Sequence, residues 1–98
     1  MLFCIVGEDI ANSTPLRQQV RQDHLARLAQ LQAENRLILA GPFPQLPQGE
    51  QMTGSLIVAQ FDSQEAAEQW AAEDPYQHAG VYAKVSIKPF KQVFPEQN

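Results

Sequence analysis

The order of strand-like and helix-like segments is the feature that most constrains how this 98-residue chain can fold. Short apolar or alternating segments predict strands at residues 2–6, 37–40, 55–61 and 81–88. Amphipathic segments predict helices from Thr14 to about Asn35 and from Asp62 to about Glu73. The order strand, helix, strand, strand, helix, strand is typical of a ferredoxin-like βαββαβ domain of the α+β class. We therefore expect one domain over residues 1–98, with two helices on one face of a four-stranded antiparallel sheet.

Turn-forming and capping residues predict where these segments end. Thr14 can cap the first helix, because its hydroxyl can accept a hydrogen bond from a free amide. Gly41–Pro42 is expected to end the second strand, since proline donates no hydrogen bond to a neighbouring strand, and a loop should follow over residues 43–54. Asp74–Pro75 should end the second helix, because the residue before a proline avoids the helical conformation. Residues 76–80 should then form a turn or a single helical turn.

The predicted sheet has one face that the helices cannot cover. Apolar residues such as Ile5, Ile57, Val85 and Ile87, or the alternate residues of the same strands, would be exposed in a single chain. A chain of this length also buries only about 60–65% of its surface on folding, which leaves little stability in reserve. A second copy of the same sheet is the simplest cover, so we expect a homodimer.

Composition and charge argue against two kinds of partner. The chain has 7 Lys and Arg residues against 11 Asp and Glu residues, and the basic residues are scattered, so we expect no nucleic-acid partner. No apolar stretch approaches the roughly 18 residues that span a bilayer, so we expect no membrane partner. The apolar start at residues 1–6 lacks the basic segment and the length of a signal peptide, which favours a cytoplasmic location.

The cysteine and histidine content bears on metals and cofactors. Cys4 is the only cysteine, so it can form no disulfide within the chain, and its apolar neighbours predict a small buried side chain. The two histidines, His24 and His78, do not make a zinc-binding pattern with it. The sequence contains no phosphate-binding glycine loop, dinucleotide-binding motif or nucleophile elbow. We therefore expect neither a metal nor a cofactor.

His24 and Asp74 are the candidate catalytic residues. The predicted apolar stripe of the first helix contains Leu16, Val20, His24, Leu28 and Leu31. A histidine in such a stripe is either a core residue with a satisfied hydrogen bond or a titratable group in a partly dry site. Asp74 is either a turn residue that ends the second helix or a partner of His24.

Both helices lie on the same face of the predicted sheet, so the two side chains can converge. A carboxylate bonded to one imidazole nitrogen fixes the tautomer and raises the basicity of the other nitrogen, as a general acid or base requires. The same pair could instead be a structural hydrogen bond between helices. The sequence leaves both readings open.

Residues near the long loop could help to bind a substrate. Gly41 and Gly54 flank this loop, where their usual role is turn geometry, but the amides that follow them could also hold a developing oxyanion. Ser55 offers a hydroxyl for the same purpose. His78, four residues after Asp74, is expected to be a solvated loop residue.

Eight short motifs follow one another along nearly the whole chain. They are Arg21-x-x-His24-Leu25, Arg36-Leu37, Ala40-Gly41-Pro42, Thr53-Gly54-Ser55, Glu65-Ala66-Ala67, Asp74-Pro75-Tyr76, Gly80-Val81-Tyr82 and Lys88-Pro89-Phe90. Each motif alone is weak, but in this order and spacing they are fairly specific. Together they resemble the YCII-related proteins.

The resemblance implies a subunit that pairs into a dimeric α+β barrel, similar to the muconolactone isomerase group. It places the family's histidine at His24 and its aspartate at Asp74. The substrate-binding residues that we expect around this pair are Gly41, Pro42, Ser55 and Tyr76. One characterised branch of the family removes chloride from a chlorinated hydroxyquinol, so the implied analogy is acid–base chemistry of a lyase, dehydrochlorinase or isomerase-like kind. A shared fold does not by itself transfer a reaction.

Two functions of different classes follow from these observations. In the first, the chain is an enzyme in which His24 moves a proton on a small organic acid or hydroxylated ring and Asp74 orients His24. In the second, it is a non-catalytic dimeric ligand-binding or accessory domain in which the pair only fastens two helices. The hypotheses differ in where the His24 ring points: into a solvent-reachable pocket bounded by Gly41, Ser55 and Asp74, or into a closed apolar core.

Overall fold

The strands and helices occur in the predicted order in a computed structural model that describes residues 1–96. They are β1 (Leu2–Asp9), α1 (Thr14–Ala33), β2 (Leu37–Pro44), β3 (Met52–Gln60), α2 (Gln64–Ala72), α3 (Pro75–His78) and β4 (Tyr82–Phe90). The βαββαβ order is confirmed, and α3 is the single helical turn expected after Asp74–Pro75.

The four strands form an antiparallel sheet in the order β2-β3-β1-β4, so β1 and β3 lie in its interior. Ile5 of β1 is aligned with Ile57 of β3 on one side and with Ile87 of β4 on the other. The core between sheet and helices contains Phe3, Ile5, Leu31, Ile57, Ala59, Phe61, Ala67 and Ala71. Its strand residues recur at every second position, which is the period that buries one face of a sheet. The predicted ferredoxin-like α+β fold is confirmed.

The sheet residues first named as needing a partner lie under the helices instead. Ile5 and Ile57 belong to the core, and Val85 and Ile87 pack against it. The opposite face of the sheet, here called the open face, is formed by the alternate residues of the strands, as a period of two requires. Its apolar side chains include Cys4, Val6, Leu39, Phe43, Leu56, Val58 and Phe90. Cys4 is half-buried there rather than buried.

The prediction that β2 ends at Gly41–Pro42 was wrong. β2 continues through Pro42, which is aligned with Ser55, and ends at Pro44. β2 is an edge strand, and proline is tolerated at an edge because its missing amide can face away from the neighbouring strand. The loop after it is therefore shorter than expected and covers residues 45–51. β4, the other edge strand, likewise continues through Pro89 to Phe90.

The predicted cap of α1 is wrong by one residue, whereas the start of α2 is close to the prediction. Ser13, not Thr14, is the N-cap of α1, and its hydroxyl donates to Asp9 at 2.6 Å instead of capping an amide. α2 begins at Gln64, two residues after the predicted start at Asp62, and the hydroxyl oxygen of its N-cap, Ser63, accepts a hydrogen bond from the amide of Ala66 at 3.0 Å. Such a cap satisfies one of the amides that a helix start leaves free.

α1 is 20 residues long, and its buried residues are Arg17, His24 and Leu31. These three are spaced by seven residues, or about two helical turns, so they form one row along the helix. The buried row thus begins at Arg17, whereas Leu16 and Val20 of the predicted stripe are only half-buried. Within the described residues 1–96, no helix is long and apolar enough to cross a bilayer.

The close pairing of β1 and β3 leaves no room for a side chain at Gly54. A Cβ at this position would overlap the carbonyl oxygen of Gly7 and would lie 3.1 Å from the ring of Phe43. We therefore predict that Gly54→Ala lowers the free energy of unfolding by about 1–3 kcal/mol, as overpacking usually does. Gly41→Ala is the matched control, since nothing lies within 4 Å of a Cβ added there.

Urea unfolding of both variants measures the difference. The control should change the free energy of unfolding by less than about 0.5 kcal/mol. Equal stability of Gly54→Ala and the wild-type protein would contradict the register between β1 and β3.

Candidate active site

One side of α1 carries three polar residues toward the sheet. Arg17, Arg21 and His24 fall within roughly 60° of arc on an ideal helix. The helix bends between them, at Val20, where φ is −120° and ψ is 15°. The three side chains line a single cavity between α1, the ends of β2 and β3, and α3.

A buried ion pair joins Arg17 to the end of β1. The guanidinium donates from Nε to Asp9 Oδ2 at 2.7 Å and from Nη2 to Asp9 Oδ1 at 3.0 Å. This two-point geometry is the strongest form of an arginine–carboxylate contact. Burial opposes the charge, but the hydrogen bonds and charge of Asp9 outweigh it, so the pKa of Arg17 is raised and the guanidinium stays charged.

Arg17 also reaches across to β3. Its Nη2 donates to the carbonyl oxygen of Gly54 and to the hydroxyl of Ser55, each at 2.9 Å. The Ser55 hydroxyl in turn interacts with Tyr82 of β4, whose pKa is strongly raised, mainly by burial. Tyr82 is therefore a neutral phenol. The polar floor of the cavity is thus fixed by groups from three strands and α1.

His24 and Asp74 form a buried hydrogen-bonded pair. The distance from His24 Nδ1 to Asp74 Oδ1 is 2.8 Å, and the same oxygen accepts the main-chain amide of Tyr76 at 2.9 Å. Because a carboxylate only accepts hydrogen bonds, the histidine is the donor. The proton of a neutral His24 is therefore on Nδ1, which leaves a lone pair on Nε2. His24 is 6% exposed and Asp74 3% exposed, so water competes little for this bond.

Tyr76 packs between His24 and Arg17. Its ring is stacked on the His24 ring, with 3.8 Å between centroids and 9° between planes. The guanidinium carbon of Arg17 lies 4.8 Å from the centroid of the same ring, within the range of a cation–π contact. Burial raises the pKa of Tyr76, and the charges of Arg17 and Arg21 offset part of that rise. Tyr76 therefore sets the angle of the imidazole and remains uncharged.

The cavity has a volume of about 460 Å³, which is enough for a small ring. The predicted site residues His24, Gly41, Pro42, Ser55 and Tyr76 all line it, and Asp74 lies behind His24. Its apolar lining includes Leu25, Leu28, Met52 and Ile57. The His24 ring is thus mostly covered, yet it forms part of a cavity wall and not of a closed core.

The predicted oxyanion site at two amides does not fit the structure. The residue after Gly41 is Pro42, which has no N–H to donate. The amide after Gly54 belongs to Ser55 in β3, which is paired on both sides, so its main-chain groups face the neighbouring strands and not the cavity. The hydroxyl of Ser55 is the group that this segment offers to the cavity.

His78 lies apart from this site. It is exposed at the end of α3, in agreement with the expectation of a solvated residue. Among residues 1–96, no group of three or more His, Cys, Asp or Glu side chains is arranged to hold a metal ion. The expected absence of a metal or cofactor stays a prediction.

Four residues around the cavity were not among the predicted site residues: Asp9, Arg17, Arg21 and Tyr82. The seven-residue spacing from Arg17 to His24 and Leu31 was the available signal, because it places an arginine in line with the candidate histidine. Asp9 and Tyr82 had no such signal, since they reach the site only through strand pairing.

Proteins of known sequence resemble this chain along its length. The family model of the YCII-related domain matches residues 1–91. An uncharacterized protein of Haemophilus influenzae is 53% identical over 98 residues, which cover 96% of this chain and 100% of the relative. Protein YciI of Escherichia coli O6:H1 is 50% identical over 98 residues, with the same coverage of both chains.

A solved structure shares the fold. It is the 5-chloro-2-hydroxyhydroquinone dehydrochlorinase from Burkholderia phenoliruptrix AC1100, in complex with 2,5-dihydroxybenzoquinone. The TM-score is 0.86 and the sequences are 27% identical, over 99% of this chain and 100% of that chain. The family match and the identities of 50% or more to full-length relatives show that this chain belongs to the YCII-related domain family.

Proposed function

We propose that this chain is an enzyme that transfers a proton to or from a small organic acid or hydroxylated ring, with His24 as the general acid or base. The observation that carries the proposal is the 2.8 Å bond from His24 Nδ1 to Asp74, combined with the place of the His24 ring in the cavity wall. That bond leaves Nε2 as the nitrogen that can exchange a proton with a bound molecule.

Asp74 would act as an orienting residue. It holds the imidazole in one tautomer and would stabilise the imidazolium formed when Nε2 accepts a proton. The stacked Tyr76 ring would keep the imidazole plane fixed during that transfer. The Ser55 hydroxyl accepts a hydrogen bond from Arg17 Nη2, as the Gly54 carbonyl oxygen does, and it would be a polar contact for a substrate oxygen.

The solved neighbour supports a ring substrate. Its name denotes removal of hydrogen chloride from a chlorinated hydroxyquinol. Loss of hydrogen chloride from an organic molecule requires a group that accepts the proton, a role that His24 could fill here. A cavity of about 460 Å³ with apolar walls and a histidine would suit such a molecule here. Among acid–base reactions, the proposal therefore favours that of a lyase or dehydrochlorinase.

A non-catalytic ligand-binding or accessory domain is the second candidate. It is favoured by the tight hydrogen bonding of Asp74, whose Oδ1 also caps α3 through the amide of Tyr76. In that account the pair fastens α1 to α3 and the cavity only holds a ligand.

We also propose that the protein is a homodimer joined through the open face of the sheet. Leu39, Phe43 and Phe90 on this face are 49%, 39% and 44% exposed. Large apolar side chains grouped on one face are typical of a protein–protein contact.

We propose a cytoplasmic location as well. It is supported by the apolar run at residues 2–6, which forms an interior strand of the sheet.

Substitution of the two histidines tests the acid–base role. We predict that His24→Gln lowers kcat for chloride release from 5-chloro-2-hydroxyhydroquinone by about 100-fold or more, since general acid–base catalysis contributes roughly that much. His78→Gln is the matched control, because His78 is exposed and outside the cavity. Asp74→Asn should lower kcat as well, because the imidazolium loses its anionic partner.

Full chloride release by His24→Gln would contradict the acid–base role. An equal loss in His78→Gln would do so too, since the effect would then not belong to the cavity. Binding of 2,5-dihydroxybenzoquinone without any turnover of the chlorinated compound would favour the ligand-binding domain.

Light scattering tests the homodimer. At micromolar concentration we predict twice the 11.0 kDa mass of the chain. Leu39→Lys should shift the mass toward that of a monomer, because it puts a charge on the open face. Gln22→Lys, on the exposed side of α1, adds the same charge and should leave the mass unchanged. A monomeric wild-type protein would rule the dimer out.

A further inference from the structure

Two arginines line the cavity, and their surroundings differ. The charge of Arg17 is already matched by two hydrogen bonds to Asp9, and its Nη2 is also bonded to Gly54 and Ser55. Its side chain is only 9% exposed. Arg17 is therefore fixed in the cavity floor and has little charge left for a ligand.

Arg21 has no such partner. It lies one helical turn after Arg17, is exposed, and lines the same cavity. In the part of the chain that the structure describes, no carboxylate lies within ion-pair distance of its guanidinium. Glu50, which lines the cavity from the loop after β2, is also outside that distance.

The position of Arg21 is close to the candidate proton-transfer group. On α1 it is three residues from His24. Its positive charge offsets part of the burial-driven rise in the pKa of Tyr76, whose ring is stacked on His24. An unpaired guanidinium offers a planar set of donors that matches a carboxylate or another oxyanion. Apolar side chains such as Leu25, Leu28 and Met52 supply the wall against which a ring would pack.

We propose that Arg21 is the anion-binding residue of the cavity and makes it selective for a small ring that carries an oxyanion, either a carboxylate or an ionised hydroxyl. This inference rests on the proposed function, since it names the substrate class of the same site. With His24 as the base, a proton leaves a ring hydroxyl for Nε2, and the negative charge that stays on the substrate oxygen is held by Arg21. Atoms and charge balance without a further reactant.

Calorimetric titration with small ring compounds tests the assignment. Benzoate and benzamide have the same shape but differ in charge, and 4-nitrophenolate tests an ionised hydroxyl. We expect Arg21→Gln to weaken binding of at least one of the two anions by about tenfold or more, the loss of one charge-assisted contact. Benzamide binding should not change. Arg21 is exposed, so an unchanged melting temperature of Arg21→Gln should accompany the loss.

Arg36→Gln is the matched control. It removes the same charge from a residue that pairs with Glu34 and does not line the cavity. If Arg21→Gln weakens the binding of benzoate, the site recognises a carboxylate. If it weakens the binding of 4-nitrophenolate, the site recognises an ionised hydroxyl. Retention of both anions by Arg21→Gln, or an equal loss in Arg36→Gln, would overturn the proposal.

This test is independent of the acid–base test. If Arg21→Gln weakens anion binding but His24→Gln still releases chloride fully, the anion site is supported and the proposed catalysis is wrong. If His24→Gln loses chloride release but Arg21→Gln binds both anions normally, the proposed catalysis is supported and the anion site is wrong.

Discussion

The buried ion pair between Asp9 and Arg17 is the contact on which the rest of the site depends. It ties the end of an interior strand to the first part of α1, and through Gly54 and Ser55 it reaches β3 as well. Loss of one partner would leave a buried charge unpaired, which costs about 3–5 kcal/mol. This contact therefore fixes the first part of α1 against β1 and β3, and His24 lies two turns further along the same helix, in the cavity wall.

Asp74 shows why the structural and functional readings of a residue need not exclude each other. Pro75 ends α2, so Asp74 becomes the cap of α3, and its Oδ1 accepts the amide of Tyr76. The same oxygen accepts the hydrogen bond from His24 Nδ1. One oxygen thus orders the segment that carries Tyr76 and selects the tautomer of the imidazole on which Tyr76 stacks. The orientation of His24 is thus fixed by side chains and main-chain groups of the protein itself, as the proposed acid–base catalysis would require.

Much of this arrangement could be predicted from sequence because it depends on local patterns. The period-two strands and the Asp74–Pro75 break both act within a few residues. The spacing along α1 places Arg17 in line with His24, but the burial of Arg17 could not be predicted, because a buried arginine depends on a carboxylate, here Asp9, that becomes its neighbour only after folding. The prediction that β2 ends at Gly41–Pro42 failed for a similar reason. Proline is tolerated in β2 because β2 is an edge strand, and an edge position is a property of the whole sheet.

The central claim is that Asp74 holds His24 with Nε2 ready to exchange a proton inside the cavity. Nitrogen-15 NMR of the imidazole rings tests it most directly, because the two ring nitrogens are distinguished by whether they carry a proton. The account predicts that neutral His24 carries its proton on Nδ1 and that added 2,5-dihydroxybenzoquinone shifts the Nε2 resonance, with His78 unaffected. A neutral His24 with its proton on Nε2, or an Nε2 resonance that does not respond to the ligand, would contradict the account.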